Sequence, residues 1–571
     1  MKVISIYPYT HLSSAVYAEN GRIISAAAEE RFSREKYSIK FPHNTIKWIL
    51  NKNKISWPEI DLIVVPWNPA INLKEVSSRW IESMRWRGEM LTNIFGNVLR
   101  AYEESIPKNT ILEFNKTKII FFDHHECHAA SSYLLSGFKN SHILTIDGHG
   151  ENETCFFGEG KQKNIHKLNS IKYPHSVGLF YGAFTDFLGF VPDRDEWKVM
   201  ALSSYSKKKN IYDKKIENIY SLNKFGFELD LSYFDFYKFD RQKYFFNEKL
   251  TNLLGPNRLK GQQINNRHHE IAGAMQRHFE KIVYHLLKIL KLNSNFKSEN
   301  LCLAGGAALN CVFNGNLNRK KIYKNIFIPP FPDDIGVGVG AAILGCLSLY
   351  KDKAKFKNTK LEHNYWGPSY ENNEIEKHLK NNKIKYLKLT NDTLIKKVAK
   401  SLSEGKLVGW FQGKMEFGHR ALGNRSILAD PRNSKIKNVI NKAVKFREGF
   451  RPFAPVCLHQ YAHKIFDIKK NETFNFMEKI AYVRPTWRKR IPGVTHEDFS
   501  ARLQTISKKQ NNKLFSLLEE FYKITKVPLL VNTSLNLNGE PICLSPIDAI
   551  RSFYTCGLDI LVLENLMITK E

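Results

Sequence analysis

Short apolar runs that end in glycine-containing turns are the feature of this sequence that most restricts its fold. Leu301–Ala304 runs into a Gly-Gly turn, Ser141–Ile146 runs into an Asp-Gly turn, and Val3–Tyr7 precedes a third turn. Strands that end in turns before helices are typical of an α/β sheet whose site lies at the strand ends. Three such junctions predict an actin-like ATPase fold, in which two related lobes clamp a nucleotide.

A pair of histidines follows a predicted strand in the first half of the chain. His124 and His128 are four residues apart, so on a helix their side chains share a face. Two neutral imidazoles and a carboxylate can together hold a divalent metal. Asp334 is the predicted third ligand, because its glycine-rich turn precedes a small-residue helix, where backbone amides meet phosphate. A histidine pair at this spacing is more often structural, so a metal site depends on what surrounds the pair.

The chain of 571 residues is too long for one hydrophobic core, which predicts two domains. The lysine-rich stretch 350–365 is predicted to link a domain of residues 1–349 to one of residues 366–571. No apolar run reaches the ~20 residues of a membrane helix, and the first residues predict a strand, not a signal peptide. The eight cysteines are scattered singly. They indicate a reduced, cytoplasmic protein without a disulfide framework or zinc ribbon.

The net charge of +30 raises the question of nucleic-acid binding. The basic clusters are short and separate, and no basic stripe is interleaved with aromatic residues. We therefore expect a compositional bias that places lysine on solvated faces, with phosphate-bearing small substrates as a partial cause. No nucleic-acid partner and no membrane partner are expected.

Ordered motifs in both halves of the chain carry a resemblance to a known family. They are residues 29–33, 124–131, 147–151, 176–181, 303–310, 416–428 and 447–455. With these motifs the chain resembles the NodU/CmcH-type O-carbamoyltransferases over essentially its full length. The resemblance implies a two-lobed actin-like ATPase (ASKHA) domain, similar to the tRNA threonylcarbamoyl-transferring ATPase, followed by a YrdC-like α/β domain.

The resemblance also implies a reaction. Carbamoyl phosphate and ATP would form carbamoyl adenylate with release of pyrophosphate, and the carbamoyl group would pass to a hydroxyl of a small secondary-metabolite or sugar-like acceptor. The implied cofactor is iron(II), although His124, His128 and Asp334 suit other divalent metals by donor type. The metal would neutralise charge on the leaving AMP. Mg²⁺ as a companion of ATP and a homodimer are both left open.

The second half of the chain supplies the cations that an acid–phosphate anhydride needs. Lys445 and Arg447, the predicted catalytic pair, resemble the Lys-x-Arg signature of YrdC-like folds. The residues predicted to bind carbamoyl phosphate are Arg420, Arg425, Arg451, His496, Arg502, Asn532, Ser534 and Asn536, the serine and the last asparagine forming a Ser-x-Asn signature. Surface ion pairing is the alternative for several of these arginines.

The nucleotide is predicted to lie in the first half of the chain, on residues at turns and helix starts. They are Ser13, Asp147, Gly148, Glu196, Lys198, Gly305, Gly306 and Asn310. His11 is the predicted catalytic base, which must come within hydrogen-bond reach of the acceptor hydroxyl. The alternative for His11 is that it caps its own turn.

Three positions depart from the family pattern, which has glycine where this chain has Asp195, Ala201 and Phe499. The lost glycines change the local backbone, and Phe499 is expected to alter the mouth of the carbamoyl phosphate pocket. Two other functions stay open. One is a tRNA-modifying threonylcarbamoyl-type transferase, favoured by the fold and the net charge, and the other is a non-catalytic, sugar-kinase-like regulator.

Overall fold

The computed structural model describes residues 1–8, 12–68, 118–206, 208–238, 243–350 and 360–570. The chain forms two compact units. Unit 1 contains residues 1–26 and 39–361, and unit 2 contains residues 27–38 and 362–571. The predicted domains are continuous stretches of sequence. Unit 2 instead includes residues 27–38, which the prediction had placed in the first domain. Most of the predicted linker lies outside the described residues.

The described part of unit 1 contains two five-stranded sheets and a hairpin. Its strands are β1 (Lys2–Tyr7), β2 (Ser14–Glu19), β3 (Arg22–Ala28, with its last two residues in unit 2), β4 (Leu62–Val65), β5 (Lys118–Phe121), β6 (Asn140–Ile146), β7 (Glu153–Lys161), β8 (Asn164–Lys172), β9 (Tyr220–Asn223), β10 (Gly226–Leu229), β11 (Asn300–Ala304) and β12 (Asn325–Phe327). The first sheet has the order β3-β2-β1-β4-β5, and the second has the order β12-β11-β6-β7-β8. β11 runs parallel to β6, so the turns that follow these two strands meet at one sheet edge.

The helices of unit 1 cover the sheets with their apolar faces. They are α2 (His43–Asn53), α3 (His124–Ser136), α4 (Val177–Phe187), α5 (Glu196–Ser203), α6 (Ile211–Glu217), α7 (Glu248–Leu254), α8 (Asn266–Asn293), α9 (Cys311–Lys320) and α10 (Asp334–Leu349). The longest of these, α8, begins where the Asn265 side chain accepts a hydrogen bond from the amide of His268. Its buried Ile271, Met275 and Ile282 recur at helical spacing.

A close helix contact positions the edge of unit 1 that carries the histidine pair. α10 packs on α3 through glycine, because a methyl group at Gly340 would lie only 1.9 Å from the carbonyl oxygen of Cys127. Gly338, two residues earlier, is less crowded, since a methyl group there would meet Val16 Cγ2 at 3.3 Å. Gly340 therefore sets how near Asp334, the first residue of α10, comes to α3.

We expect Gly340→Ala to separate α10 from α3, since the obstructing atom belongs to the backbone and cannot rotate away. The free energy of unfolding should fall by about 1–3 kcal/mol, the usual range for overpacking. Chemical denaturation followed by circular dichroism measures the change. Gly338→Ala is the matched control on the same helix and should change the midpoint much less. Equal effects of the two variants would contradict the close contact at Gly340.

Unit 2 contains an eight-stranded sheet and a two-stranded one over its described residues. Its strands are β13 (Leu387–Lys388), β14 (Val408–Phe411), β15 (Arg425–Ala429), β16 (Ala454–Leu458), β17 (Ile480–Tyr482), β18 (Ser500–Arg502), β19 (Gln504–Ile506), β20 (Leu529–Ser534), β21 (Ile560–Leu563) and β22 (Leu566–Thr569). The large sheet has the order β13-β22-β21-β14-β15-β20-β16-β19. β20 lies antiparallel to both β15 and β16, near the centre of that sheet.

The helices of unit 2 bury a continuous apolar core against the large sheet. They are α1 (Glu29–Ser33), α11 (Asn372–Asn381), α12 (Asn391–Ser403), α13 (Ile436–Val439), α14 (His459–Ile465), α15 (Pro485–Arg488), α16 (Asn512–Thr525) and α17 (Pro546–Tyr554). Trp410 on β14 is completely buried in this core. A π-helical turn, Ile440–Val444, continues α13 up to Lys445. Such turns occur frequently at functional sites.

Residues 27–38 belong to unit 2 through buried arginine contacts. Arg31 is 3% exposed and donates to the carbonyl oxygen of Gly418 at 3.0 Å. Arg34 donates to the carbonyl oxygens of Pro541 and Ile542, each at 2.8 Å. The Glu-Glu-Arg motif noted in the sequence is therefore part of unit 2, where it fixes the loop after β14.

The prediction of an α/β fold is confirmed, since strands and helices alternate through both units. Among the helices that the structure describes, none has both the length and the apolar character that a membrane span requires.

Candidate functional site

Four side chains converge at one edge of unit 1, and each offers a possible metal-ligating atom. His124 and His128 lie one turn apart at the start of α3, Asp147 follows β6, and Asp334 begins α10. Their ligand atoms all lie within 4.8 Å of one another. The structure thus brings together the three predicted metal ligands and adds Asp147, which the sequence had assigned to the nucleotide.

The separations of the donor atoms suit a single ion. His124 Nε2 lies 3.1 Å from His128 Nε2, 3.3 Å from Asp147 Oδ2 and 3.3 Å from Asp334 Oδ1. His128 Nε2 lies 2.8 Å from Asp147 Oδ2 and 3.6 Å from Asp334 Oδ1. Both imidazoles are fully buried. Two nitrogens and two carboxylate oxygens converging in this way fit Fe²⁺, Mn²⁺ or Zn²⁺ by donor type.

The charges of the four groups depend on each other. Burial lowers the pKa of His124, but the nearby Asp334 and the hydrogen bond to Asp147 outweigh burial and raise that pKa well above its usual value. For Asp147, burial and the charge of Asp334 raise the pKa, whereas hydrogen bonds from the two histidines bring it down to about 2. Asp147 is therefore ionised at neutral pH. A bound divalent ion would take the place of the protons on the imidazoles.

Residues behind the ligands hold them in place, and sequence reasoning missed two of them. The Tyr7 hydroxyl donates to Asp334 Oδ2 at 2.8 Å. Glu151 accepts the backbone amides of His124 at 3.0 Å and Asn68 at 2.7 Å, and burial raises the pKa of this carboxyl to about 7. Partners of this kind orient metal ligands. Glu151 is the last residue of the motif at 147–151, but the sequence spacing between Glu151 and His124 does not indicate that its side chain contacts the start of α3.

His125 does not contribute to the ligand group. Its Nδ1 lies 2.5 Å from Thr145 Oγ1, and its Nε2 lies 3.1 Å from the carbonyl oxygen of Glu153. Burial lowers the pKa of His125 to about 3, so the ring is neutral at physiological pH. These contacts tie α3 to the second sheet.

The predicted nucleotide residues fall into separate groups. Gly306 and Gly148 both donate backbone amides to Asp147 Oδ1, at 3.1 and 2.8 Å, so they adjoin the metal ligands. At Gly305 the backbone φ is +88°, and a methyl group would lie 2.1 Å from the carbonyl oxygen of Ile146. Glycine is therefore required at this turn.

Other predicted nucleotide residues make local contacts. Asn310 caps α9 and exchanges hydrogen bonds with Gln276 at 2.8 and 3.1 Å. Glu196 accepts the amide of Asp193 at 2.7 Å, and burial raises the pKa of Glu196 to about 8. Lys198 pairs with Asp195 at 2.9 Å. Ser13 is fully buried. The predicted base His11 lies outside the described residues.

A second group of predicted site residues surrounds Lys445 in unit 2. Lys445 is 3% exposed, and its ammonium contacts the carbonyl and hydroxyl oxygens of Ser534 at 2.5 and 3.3 Å. It also contacts the carbonyl and side-chain oxygens of Asn536 at 2.9 and 2.7 Å. All four acceptors are neutral. Burial, with the adjacent Arg447, lowers the pKa of Lys445 well below its usual value.

Three more of the predicted site residues of unit 2 contact neighbouring oxygens. Arg447 donates to Asn441 Oδ1 at 2.8 Å and lies over the Phe453 ring, and burial lowers its pKa to about 9. His496 Nε2 lies 3.4 Å from the carbonyl oxygen of Phe453. Arg451 pairs with Glu448 at 2.7 Å. Arg447 is thus a buried cation whose hydrogen-bond partner is a neutral amide, a setting that favours a bound anion.

One of the predicted cations, Arg425, donates its hydrogen bonds to the protein backbone. Arg425 is fully buried, lies over the Phe411 ring, and donates through Nη1 and Nη2 to carbonyl oxygens. These acceptors belong to residues 368, 412, 413 and 424, at 2.7–3.1 Å. Arg425 thus stabilises the loop between β14 and β15, and Arg420 lies within that loop. Glu416, which sequence reasoning missed, accepts three amides of the same loop.

Asn532 on β20 carries a buried acceptor atom. Its side chain is 1% exposed, and its amide nitrogen donates to the carbonyl oxygen of Ala421 at 3.2 Å and to Gln504 Oε1 at 2.8 Å. Its Oδ1 has no hydrogen-bond partner in the part of the chain that the structure describes. Gln504 is itself oriented by a 3.0 Å bond to the carbonyl oxygen of Leu422.

The departures at Asp195, just before helix α5, at Ala201 within it, and at Phe499 near His496 have local consequences. Asp195, where the family has glycine, pairs with Lys198, and Ala201 lies within α5. Phe499 has a backbone φ of +63° and is 43% exposed, with Arg488 over its ring. The positive φ explains why glycine suits that position.

The protonation of His496 gives a prediction about acid stability. Burial lowers the pKa of His496 to about 4, whereas an exposed histidine titrates near ~6.5. As the pH falls, His496 therefore becomes protonated in the unfolded chain before it does in the folded chain. The contribution of His496 to the free energy of unfolding is complete above pH ~6.5 and is lost as the pH falls toward 4. Thermal melting between pH 7 and pH 4.5 should thus show a smaller loss of stability in His496→Gln than in the wild type. Equal losses would contradict a neutral, buried His496.

Comparison with known proteins places the chain in a family. Residues 2–343 match the model described as carbamoyltransferase N-terminus, and residues 399–570 match carbamoyltransferase C-terminus. The uncharacterized protein sll1178 of Synechocystis is 35% identical over 100% of this chain and 96% of its own length. Nodulation protein NolNO of Sinorhizobium fredii is 33% identical over 99% of this chain and 79% of its own. Nodulation protein U of Rhizobium tropici is 38% identical over 42% of this chain and 39% of its own. The chain belongs to the carbamoyltransferase family.

Proposed function

We propose that the protein is an ATP-dependent O-carbamoyltransferase that activates a carbamoyl group as carbamoyl adenylate and transfers it to a hydroxyl of a small acceptor. Activation is assigned to unit 2 and transfer to unit 1. We further assign unit 1 to the two-lobed actin-like fold and unit 2 to the YrdC-like fold. The matched family models and the two five-stranded sheets of unit 1 support these assignments.

The proposed activation has two steps. Water cleaves carbamoyl phosphate into carbamate and inorganic phosphate. A carbamate oxygen then attacks the α-phosphorus of ATP, which forms carbamoyl adenylate as the bond to pyrophosphate breaks. Each activated carbamoyl group therefore produces one phosphate and one pyrophosphate.

The observation that carries the activation step is the buried Lys445, whose ammonium contacts only neutral oxygens within the part of the chain that the structure describes. An ammonium in that setting is poorly compensated until an anion arrives, so it is suited to a phosphate or carboxylate. Arg447, stacked over Phe453, adds a second cation within two residues. Both side chains are held in place before the substrate binds. Cationic groups positioned in advance are what electrostatic stabilisation of a phosphoryl-transfer transition state requires.

Transfer requires that the acceptor hydroxyl lose its proton and attack the carbamoyl carbon, as the bond to AMP breaks. His11 remains our proposed base for that proton. His124, His128, Asp147 and Asp334 would hold the divalent metal, which when bound supplies a positive charge to stabilise the leaving phosphate. Tyr7 and Glu151 keep these ligands oriented through their contacts with Asp334 and the start of α3.

The proposal is tested by following ¹³C-labelled carbamoyl phosphate with ATP by carbon and phosphorus NMR, with iron(II) kept reduced. Phosphate and pyrophosphate are expected in equal amounts, with a new carbamoyl signal attached to AMP. Omission of either substrate should remove the pyrophosphate. Formation of ADP, or phosphate without pyrophosphate, would overturn adenylate chemistry.

A further inference from the structure

The side-chain carbonyl oxygen of Asn532 lacks a hydrogen-bond donor among the described residues, and Asn532 lies close in sequence to a partner of Lys445. Asn532 is two residues before Ser534 on β20, so the two side chains share a face of the sheet. Ser534 is a direct partner of Lys445. Gln504, the other partner of Asn532, is two residues after Arg502. Asn532 thus shares strand β20 with a partner of Lys445, and its own partner Gln504 follows Arg502 closely along the chain.

The orientation of the Asn532 amide is fixed by its neighbours. Its nitrogen donates to two oxygens, the carbonyl of Ala421 and Oε1 of Gln504. A flipped amide would place Oδ1 against both of these acceptors, which is unfavourable. Because Gln504 is anchored in turn by Leu422, neither amide can reorient alone. The orientation of Asn532 Oδ1 is therefore fixed, and this acceptor lacks a donor among the described residues.

A buried acceptor without a donor is costly, by about 1–3 kcal/mol, so a ligand that binds beside it gains by supplying an N–H group. Acetyl phosphate and the triphosphate of ATP offer only acceptors when fully ionised. Carbamoyl phosphate carries an anionic phosphate at one end and an amino group at the other. It matches a site that combines the buried cations of unit 2 with an amide carbonyl that lacks a donor.

We infer that Asn532 Oδ1 accepts a hydrogen bond from the carbamoyl amino group and so selects carbamoyl phosphate over other acyl phosphates. The inference rests on the proposed function and adds to it the residue that distinguishes the acyl group. Asn532 is a specificity-determining residue in this scheme, and the cations supply the affinity for phosphate that all acyl phosphates share.

The test compares the binding of two ligands by two proteins, so that the effect of the ligand change can be measured with and without Asn532. Acetyl phosphate replaces the amino group by a methyl group of similar size, and Asn532→Leu replaces the amide by an apolar group of similar size. Dissociation constants for both ligands, measured by calorimetry on the full chain, give a preference ratio for each protein. We expect the wild type to prefer carbamoyl phosphate by about 10- to 100-fold, because a methyl group leaves Oδ1 unsatisfied. In Asn532→Leu the ratio should fall to within about threefold of one.

A matched control comes from another buried amide of unit 2. Gln412 is 4% exposed and also has a side-chain carbonyl oxygen without a partner in the described residues. Gln412→Leu should therefore leave the preference ratio as it is in the wild type. Asn532→Ala serves in place of Asn532→Leu if the leucine variant does not fold.

The possible outcomes separate the inference from the proposed function. If the wild type binds carbamoyl phosphate but does not prefer it, or if folded Asn532→Leu keeps the preference, Asn532 is not the selecting residue and the proposed function stands. If the wild type binds neither acyl phosphate, the proposed function fails, and the inference fails with it.

Discussion

Lys445→Met is expected to slow the carbamoyl-phosphate-dependent exchange of labelled pyrophosphate into ATP by at least about 10²- to 10³-fold. Methionine keeps much of the length and apolar character of the lysine stem but removes the positive charge. Ser534 and Asn536 would then direct their oxygens at the substrate without a compensating ammonium. The exchange rate at saturating ATP, measured over a range of carbamoyl phosphate concentrations, gives the change in kcat/KM.

Lys513→Met is the matched control for this substitution. Lys513 is also a partly buried lysine of unit 2, and its ammonium contacts Asn565 Oδ1 at 2.8 Å and Glu564 Oε2 at 3.6 Å. Because its charge is already paired with a carboxylate, its loss should change the exchange rate by less than about threefold. A comparable loss in both variants, or an unimpaired Lys445→Met, would argue against a site built around Lys445.

His128→Ala is expected to weaken binding of a divalent metal by more than the ~10- to 100-fold that loss of an outer-shell partner costs. The variant removes one of two imidazoles and leaves Asp147 without its 2.8 Å neighbour. Metal content after dialysis, and titration with Mn²⁺ followed by electron paramagnetic resonance, measure the affinity without reference to activity. His285→Ala, which removes a half-buried histidine bonded to the carbonyl oxygen of Asn223, should bind Mn²⁺ like the wild type. Unchanged affinity in His128→Ala would exclude the site.

The sequence predicted the α/β class and the convergence of His124, His128 and Asp334, because helical spacing and strand-end turns are local signals. It did not predict that Asp147 joins them. That depends on β6 and β11 being neighbours in one sheet, a pairing between segments more than 150 residues apart that local patterns do not reveal. Tyr7 reaches Asp334 across 327 residues of sequence.

In unit 2, the resemblance assigned Lys445, Ser534 and Asn536 to one substrate, and the structure brings these three residues into contact. The sequence could not distinguish a cation that faces a ligand from one that holds a loop. Arg425, in the middle of a motif, donates to backbone carbonyl oxygens, and such contacts leave no mark on residue spacing. The assignment of residues 27–38 to unit 2 was equally hidden, because it depends on long-range contacts of Arg31 and Arg34.

The assignment of activation to unit 2 and of transfer to unit 1 is tested most directly by one exchange measurement on three proteins. Labelled pyrophosphate and ATP are incubated with carbamoyl phosphate and no acceptor, using the wild type, Lys445→Met and His128→Ala. We expect label to enter ATP with the wild type and, within about threefold, with His128→Ala, because adenylate formation does not use the histidine pair. Lys445→Met should lose the exchange. Absence of exchange in the well-folded wild type, or retention of exchange in Lys445→Met, would contradict adenylate formation at the buried cations. Equal losses of exchange in Lys445→Met and His128→Ala would contradict the assignment of activation to unit 2 and of transfer to unit 1.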